Sequence, residues 1–152
     1  MAHIRLTEHI DAPIEDVFDL FIDPKRWPEW MAGSTDIKEV TGPPDKVGTR
    51  VRDVSTFMGQ TMESWTEVIE VERPRLYRLA TEGAGMKGKG TFRLTPVGQG
   101  TDIEVLTEYE LPVGFLGHIA DRLFIEKAME RQMRHSAENF KALAEAKVAV
   151  PA

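Results

Sequence analysis

The hydrophobic pattern of this chain changes near residue 112, and this change limits the folds open to it. Before that point, six short runs alternate apolar and polar residues; they lie near residues 35–41, 48–57, 61–72, 75–82, 86–95 and 101–111. Such alternation is typical of half-buried β-strands. The connections are short, which favours an antiparallel meander because parallel neighbours need crossovers of about a dozen residues or more. From about residue 115 to 146, apolar residues instead repeat at helical spacing.

The N-terminal segment adds a strand and two short helices. Residues 2–10 alternate as a strand does, and Pro13 suits the first turn of a helix. Asp23-Pro24 ends that helix, and residues 25–31 indicate a second one. The sequence therefore predicts an α+β fold, in which a seven-stranded curved antiparallel sheet wraps around a long C-terminal helix, with two short helices between strands 1 and 2.

Composition excludes several classes of function. A chain of 152 residues can bury a substantial core by itself. Its net charge of −6 disfavours nucleic acid as a partner, and the absence of cysteine removes disulfides, thiolate zinc sites and a cysteine nucleophile. No segment reaches the length of a transmembrane helix. We expect a cytoplasmic protein without metal or cofactor, and the sequence leaves a homodimer open.

Successive turns of a meander lie at opposite ends of the sheet, which sorts the turns into two groups. One group is polar or stiff: residues 42–45, 73–74 and 96–100. The other group joins large apolar side chains to glycines: residues 57–59, 83–86 and 112–116. Apolar side chains in turns that should face water indicate a binding surface, here the rim of a pocket. In the alternative interpretation these side chains fold back and plug the sheet against the helix.

Alternation along the strands, together with this rim, predicts which residues bind a ligand. Trp65 is assigned to an inward face with Glu67, Ile69 and Val71, and residues 103–111 are assigned to another through their odd-numbered positions. Along the long helix, Leu123 and Phe124 are expected to continue the apolar stripe of Met129 and Phe140. The predicted ligand-binding residues are Trp65, Phe57, Met58, Phe92, Thr107, Tyr109, Phe115, Ile119 and Leu123.

Three side chains are candidates for acid/base chemistry: Tyr109, Asp53 and Glu8. Asp53 and Glu8 share strand faces with apolar residues, where a carboxylate is costly unless it is paired or neutralised. The alternatives are a core tyrosine bonded to the backbone and half-exposed carboxylates at a sheet edge. The four histidines are too dispersed for metal ligation, although His118 or His135 on the long helix could face the pocket.

The segment 83–90 contains the pattern Gly-x-Gly-x-x-Gly, and it nearly matches the sequence of a phosphate-binding loop that ends in Gly-Lys. Such loops hold phosphate only between a strand and a helix, and here residues 91–96 read as another strand. We therefore predict no nucleotide site at this segment.

The order of elements and several short motifs resemble the START-related helix-grip superfamily (SRPBCC), in particular its polyketide cyclase/dehydrase and lipid-transport branch. The motifs are residues 10–18, Asp23-Pro24 with Trp27 and Trp30, 47–49, 72–74, 100–101 and 138–143. The resemblance implies a START-like ligand-binding domain over residues 1–146 and a cavity between sheet and helix. The end of the helical pattern separately predicts a frayed tail over residues 147–152. It assigns no catalytic residue, because chemistry varies among proteins of one fold.

Three functions remain open from the sequence. The first is binding, or transport, of a small hydrophobic molecule such as a lipid or polyketide-like compound. The second is a cyclase or dehydratase in which Tyr109, Asp53 or Glu8 moves protons. The third is a protein-interaction module that resembles co-chaperones of this architecture and docks a partner on the apolar rim.

Overall fold

The computed structural model of the chain describes residues 2–83, 85–110 and 119–149. Within these ranges the strands are β1 (Ala2–Ile10), β2 (Ser34–Val40), β3 (Arg50–Phe57), β4 (Gln60–Glu72), β5 (Leu76–Gly83), β6 (Met86–Val97) and β7 (Gly100–Glu110). The helices in the same ranges are α1 (Ile14–Ile22), α2 (Trp27–Trp30) and α3 (Ile119–Ala149), and a 3-10 turn, Pro24–Arg26, leads into α2. None of the helices in these ranges is long and apolar enough to cross a membrane.

The strands form one antiparallel sheet in the order β1-β7-β6-β5-β4-β3-β2. Strands β2 to β7 are therefore a meander, and β1 pairs with β7 to complete the seven strands. The predicted α+β helix-grip fold is confirmed, and its strand bounds lie within two residues of those predicted. Because β2 to β7 are neighbours both along the chain and in the sheet, the turns between them alternate between the two ends as the sequence predicted. The predicted apolar turn at residues 112–116 lies outside the described residues.

Aromatic residues from four elements pack around Phe21 of α1 and make the main core. The Phe21 ring centroid lies 4.4 Å from that of Phe92, 5.2 Å from Trp30, 5.7 Å from Phe140 and 6.1 Å from Tyr77. Edge-to-face and tilted contacts at these distances add to the gain from burial. The cluster joins α1 to the inner face of β5 and β6 and to the C-terminal half of α3.

Polar side chains of α3 bond to the segment between α2 and β2 and to the end of β3. The Ala32 backbone N–H donates to Ser136 Oγ at 2.8 Å, and Gln132 Nε2 donates to the Thr56 carbonyl at 3.3 Å. Gly33 lies between these contacts with φ of 90°, and a Cβ there would stand 2.7 Å from the Thr56 carbonyl oxygen. Only glycine fits this position without displacing the backbone or the helix, because the conformation is left-handed and the space is already filled.

The predicted continuous apolar stripe along α3 is wrong at Leu123 and Phe124. Leu123 and Phe124 are 53% and 56% exposed, whereas Ile125 is 6% exposed. A helix turns about 100° per residue, so Leu123 points roughly 200° away from Ile125. Ile125 is in phase with Met129, which packs against β1 and β7. The inner face of the helix therefore passes through Ile125, and the two apolar side chains before it face outward.

Candidate functional site

A cavity of about 320 Å³ lies between the inner face of the sheet and α3. It is bordered by inner-face residues of β3 to β7, by the segment after α2 and by the middle of α3. Most of its wall is apolar and includes Met31, Phe57, Met62, Met86, Phe92 and Met129. Methionine side chains are flexible and polarizable, so such a wall can adapt to ligands of different shape. The predicted pocket between sheet and helix thus has a counterpart in the structure.

The cavity exists where β6 lacks inner-face side chains. Gly88 and Gly90 border it, whereas the alternating residues Lys87 and Lys89 are exposed. Gly88 pairs with Tyr109 and Gly90 with Thr107, so the flanks of both β7 side chains are left open. A side chain at Gly88 would project into this space, because successive residues of a strand point to opposite faces.

Three polar side chains with buried, unpaired atoms border this cavity. Asp53 Oδ1, Ser34 Oγ and the Tyr109 hydroxyl have no hydrogen-bond partner among the described residues. Asp53 and Ser34 are each 9% exposed and Tyr109 is 3% exposed. Leaving one such group without a partner costs about 1–3 kcal/mol, so a site with three of them suggests ligand atoms that complete the bonding.

Asp53 and Ser34 lie on one wall of the cavity. Ser34 opens β2 opposite Ser55, and Asp53 lies two residues before Ser55 on the same face of β3. Burial raises the pKa of Asp53 from 3.8 to about 6 because the charged form loses its hydration. The carboxyl group is therefore mostly ionised at pH 7 and changes protonation just below neutrality.

Tyr109 lies on β7, four strands away from Asp53 in the sheet order. It packs in a small cluster with Ile4 and Leu6 of β1, and Met133 of α3 lies against that cluster. Burial raises the pKa of the Tyr109 hydroxyl, and the nearby carboxylate of Glu126 adds to the rise. Tyr109 therefore stays protonated at neutral pH and can donate or accept a hydrogen bond.

Several residues proposed from sequence lie on this cavity: Phe57, Phe92, Thr107, Tyr109 and Asp53. Met58 does not border it and is 51% exposed at the tip of the β3–β4 turn. Glu8 is half-buried on β1 and also lies away from the cavity wall.

The helical candidates behave differently. Leu123 is exposed and does not border the cavity, and His135 is exposed on α3. Phe115, His118 and the side chain of Ile119 lie outside the described residues. No cluster of three or more metal-binding side chains occurs in the described part of the chain.

The inward assignment of Trp65 is wrong. Trp65 lies on the outer face of the sheet, where the Arg50 guanidinium stands 4.3 Å from the ring centroid. The inner face of β4 instead presents Thr66 and Val68. A register shift between Val68 and Glu70 inserts one residue into β4. Counting back in steps of two from Val71 therefore selects the wrong face, because a bulge reverses the alternation.

Sequence reasoning missed Ser34, Gly88 and Gly90. Gly88 and Gly90 are two residues apart and therefore lie on the same face of the strand. This spacing predicts a strand whose inner face lacks side chains there. Ser34 carries no such signal, because its burial depends on segments that are distant in the sequence.

Comparisons with known proteins agree with the fold. Residues 1–145 match the family model described as polyketide cyclase / dehydrase and lipid transport. No match was found among curated proteins.

Among solved structures, TTHA0849 from Thermus thermophilus has a TM-score of 0.81 and 23% identity, over 96% of this chain and 99% of that one. The Zhui aromatase/cyclase from Streptomyces sp. R1128 has a TM-score of 0.81 and 16% identity, covering 97% of this chain and 95% of its own. A START superfamily protein from Mycobacterium smegmatis has a TM-score of 0.73 and 18% identity, covering 95% and 97%. Likeness at these identities shows the fold. Because the family model matches residues 1–145 of the 152, the chain belongs to the polyketide cyclase / dehydrase and lipid transport family.

Proposed function

We propose that this protein binds a small, largely apolar molecule, such as a lipid or a polyketide-like compound, in the cavity beneath α3. The observation that carries the proposal is a space of about 320 Å³ whose wall is mostly apolar and whose buried polar atoms lack partners among the described residues. Sites for small molecules in proteins have this combination of an apolar wall and a few placed polar groups.

The size of the cavity supports a useful affinity. A ligand that buries roughly 250 Å² of apolar surface gains about 6 kcal/mol at about 25 cal/mol per Å². Ordering the ligand and the methionine side chains offsets part of that gain. Hydrogen bonds to the unpaired polar atoms would then decide which molecules bind.

A cavity-filling substitution tests the proposal. Gly88→Val places a branched side chain on the inner face of β6, where a Cβ would first meet the Glu108 carbonyl oxygen at 3.2 Å. Thr95→Val is the matched control, because Thr95 is exposed on the same strand and does not border the cavity. Binding of the neutral fluorescent dye phenylnaphthylamine would be measured by titration.

We expect the wild type and Thr95→Val to bind the dye with similar affinity, and Gly88→Val to bind it about tenfold or more weakly because the space is filled. Circular dichroism and thermal unfolding check that Gly88→Val is folded. Equal dye binding by all three proteins would contradict the proposal, and so would a wild type that binds no dye.

A second candidate function, an acid/base enzyme of the cyclase or dehydratase kind, is favoured by Asp53. A carboxyl group with a pKa of about 6 can accept and return a proton near neutral pH. Deuterium exchange at the activated C–H positions of tetralone, followed by NMR, tests this chemistry. The enzyme hypothesis expects faster exchange with the wild type than with Asp53→Asn. It also expects the wild-type exchange rate to rise as the pH increases through about 6. Equal rates for the two proteins would remove it.

A further inference from the structure

The cavity has one buried charged group on its described wall, and this group selects the kind of ligand. We propose that the ligand is a neutral or cationic amphiphile, whose hydroxyl or ammonium group donates a hydrogen bond to Asp53, and that molecules with an anionic headgroup are excluded. This inference rests on the proposed function, because it names the class of molecule that the same cavity takes.

Asp53 borders the cavity and carries a buried, unpaired oxygen. It is 9% exposed, it borders the cavity, and its Oδ1 has no partner among the described residues. A carboxylate accepts hydrogen bonds and cannot donate them, so its complement is a donor. Since the pKa of Asp53 is about 6, the ionised acceptor predominates at pH 7.5.

The neighbouring polar groups do not reverse this preference. Ser34 and Tyr109 carry hydroxyls, which can donate or accept and therefore accommodate either kind of ligand atom. Among these three groups, only Asp53 carries a charge at pH 7.5, and that charge is negative.

No buried cation compensates for Asp53 in the described part of the wall. The basic residues that border the cavity are Lys87 and Lys89, and both are exposed. Arg52, the residue before Asp53, alternates to the outer face and approaches the Trp65 ring. A ligand carboxylate placed near Asp53 would meet a like charge in a poorly hydrated space, where repulsion is stronger than in water.

Three naphthalene derivatives with the same ring and linker test the inference: naphthylmethylamine, naphthylmethanol and naphthylacetate. Their affinities for the wild type and for Asp53→Asn would be measured by calorimetric titration at pH 7.5. Asp36→Asn is the matched control, since Asp36 is exposed on β2 and does not border the cavity.

For the wild type and Asp36→Asn, we expect the amine and the alcohol to bind about tenfold or more tightly than the acetate, as charge complementarity in a buried site requires. The Asp53→Asn variant should bind the amine more weakly and the acetate more tightly than the wild type does, so that its three affinities fall within roughly threefold of one another. An acetate that binds the wild type as tightly as the amine would refute the inference, as would an unchanged order in Asp53→Asn.

The outcomes separate this inference from the proposed function. If the wild type binds phenylnaphthylamine but shows no preference among the naphthalenes, the cavity binds apolar molecules and the role of Asp53 is refuted. If it binds neither the dye nor any of the naphthalenes, both proposals fail.

Discussion

Replacing Asp53 with asparagine should stabilise the protein, because the folded wild type holds a poorly hydrated carboxylate at this position. Folding raises the pKa of this group from 3.8 to about 6. The folded state therefore binds more protons than the unfolded state between these values, and stability falls as the pH rises through that window. Above about pH 6 the loss is complete.

The magnitude follows from the pKa values. At about 1.36 kcal/mol for each pKa step of one, a rise from 3.8 to about 6 destabilises the folded state by about 3 kcal/mol at pH 7.5 and by about 1 kcal/mol at pH 4.5. The amide of asparagine is also left without partners, which costs about 1 kcal/mol at either pH. The expected net gain for Asp53→Asn is therefore about 2 kcal/mol at pH 7.5 and close to zero at pH 4.5.

Thermal unfolding at the two pH values measures this difference. A gain of about 2 kcal/mol corresponds to a rise in Tm of about 4–8 °C for a chain of this size. Asp36→Asn, on the exposed side of β2, should show no comparable rise. A Tm for Asp53→Asn that is lower than that of the wild type at pH 7.5, or that rises equally at both pH values, would refute the reasoning. A stabilised variant with altered ligand preference would indicate that the carboxylate is kept for binding at the expense of stability.

Three further variants test a hairpin turn, a close backbone contact and an exposed ion pair. Met58→Asn should stabilise the β3–β4 hairpin by about 1 kcal/mol in urea unfolding. Met58 and Gly59 have φ of 53° and 79°, and turns with two such residues favour Asn-Gly. An unchanged free energy of unfolding would contradict this account. Gly33→Ala should destabilise the fold by roughly 1–3 kcal/mol in the same assay, since a Cβ would lie 2.7 Å from a carbonyl oxygen, and a neutral effect would show that the backbone yields. The variant His9→Gln should be less stable than the wild type, by a larger margin at pH 5.5 than at pH 8.5. The hydrogen bond to Asp102, with help from Asp11, raises the pKa of His9. The contribution of His9 to stability is therefore present at low pH and disappears as the ring deprotonates. A loss that is equal at the two pH values would contradict this role.

The strand order and the inner faces of two strands could be read from the chain alone. Short turns force neighbouring runs to pair as a meander, so the grouping of the turns required no coordinates. Alternation along β3 and β7 also placed Asp53 and Tyr109 on inward faces, because these strands contain no inserted residue in that part.

Two assignments failed where local periodicity does not carry over a longer segment. The extra residue near Ile69 of β4 reverses the alternation, so Trp65 faces outward although Val71 packs on the core. Along α3, Leu123 and Phe124 have the composition of a buried stripe but the phase of an outer face.

The size of the cavity and the isolation of its polar atoms depend on the tertiary structure. A sequence shows that Gly88 and Gly90 lack side chains, but only the packing of α3 over β6 decides whether that space is filled. The pKa of Asp53 likewise depends on how much water the helix and sheet exclude, a quantity set by elements far apart in the chain. The sequence by itself thus determined the architecture and the candidate carboxylate, because pairing and alternation are local. The folded structure decided which groups lie buried without partners, because burial requires the contribution of distant segments.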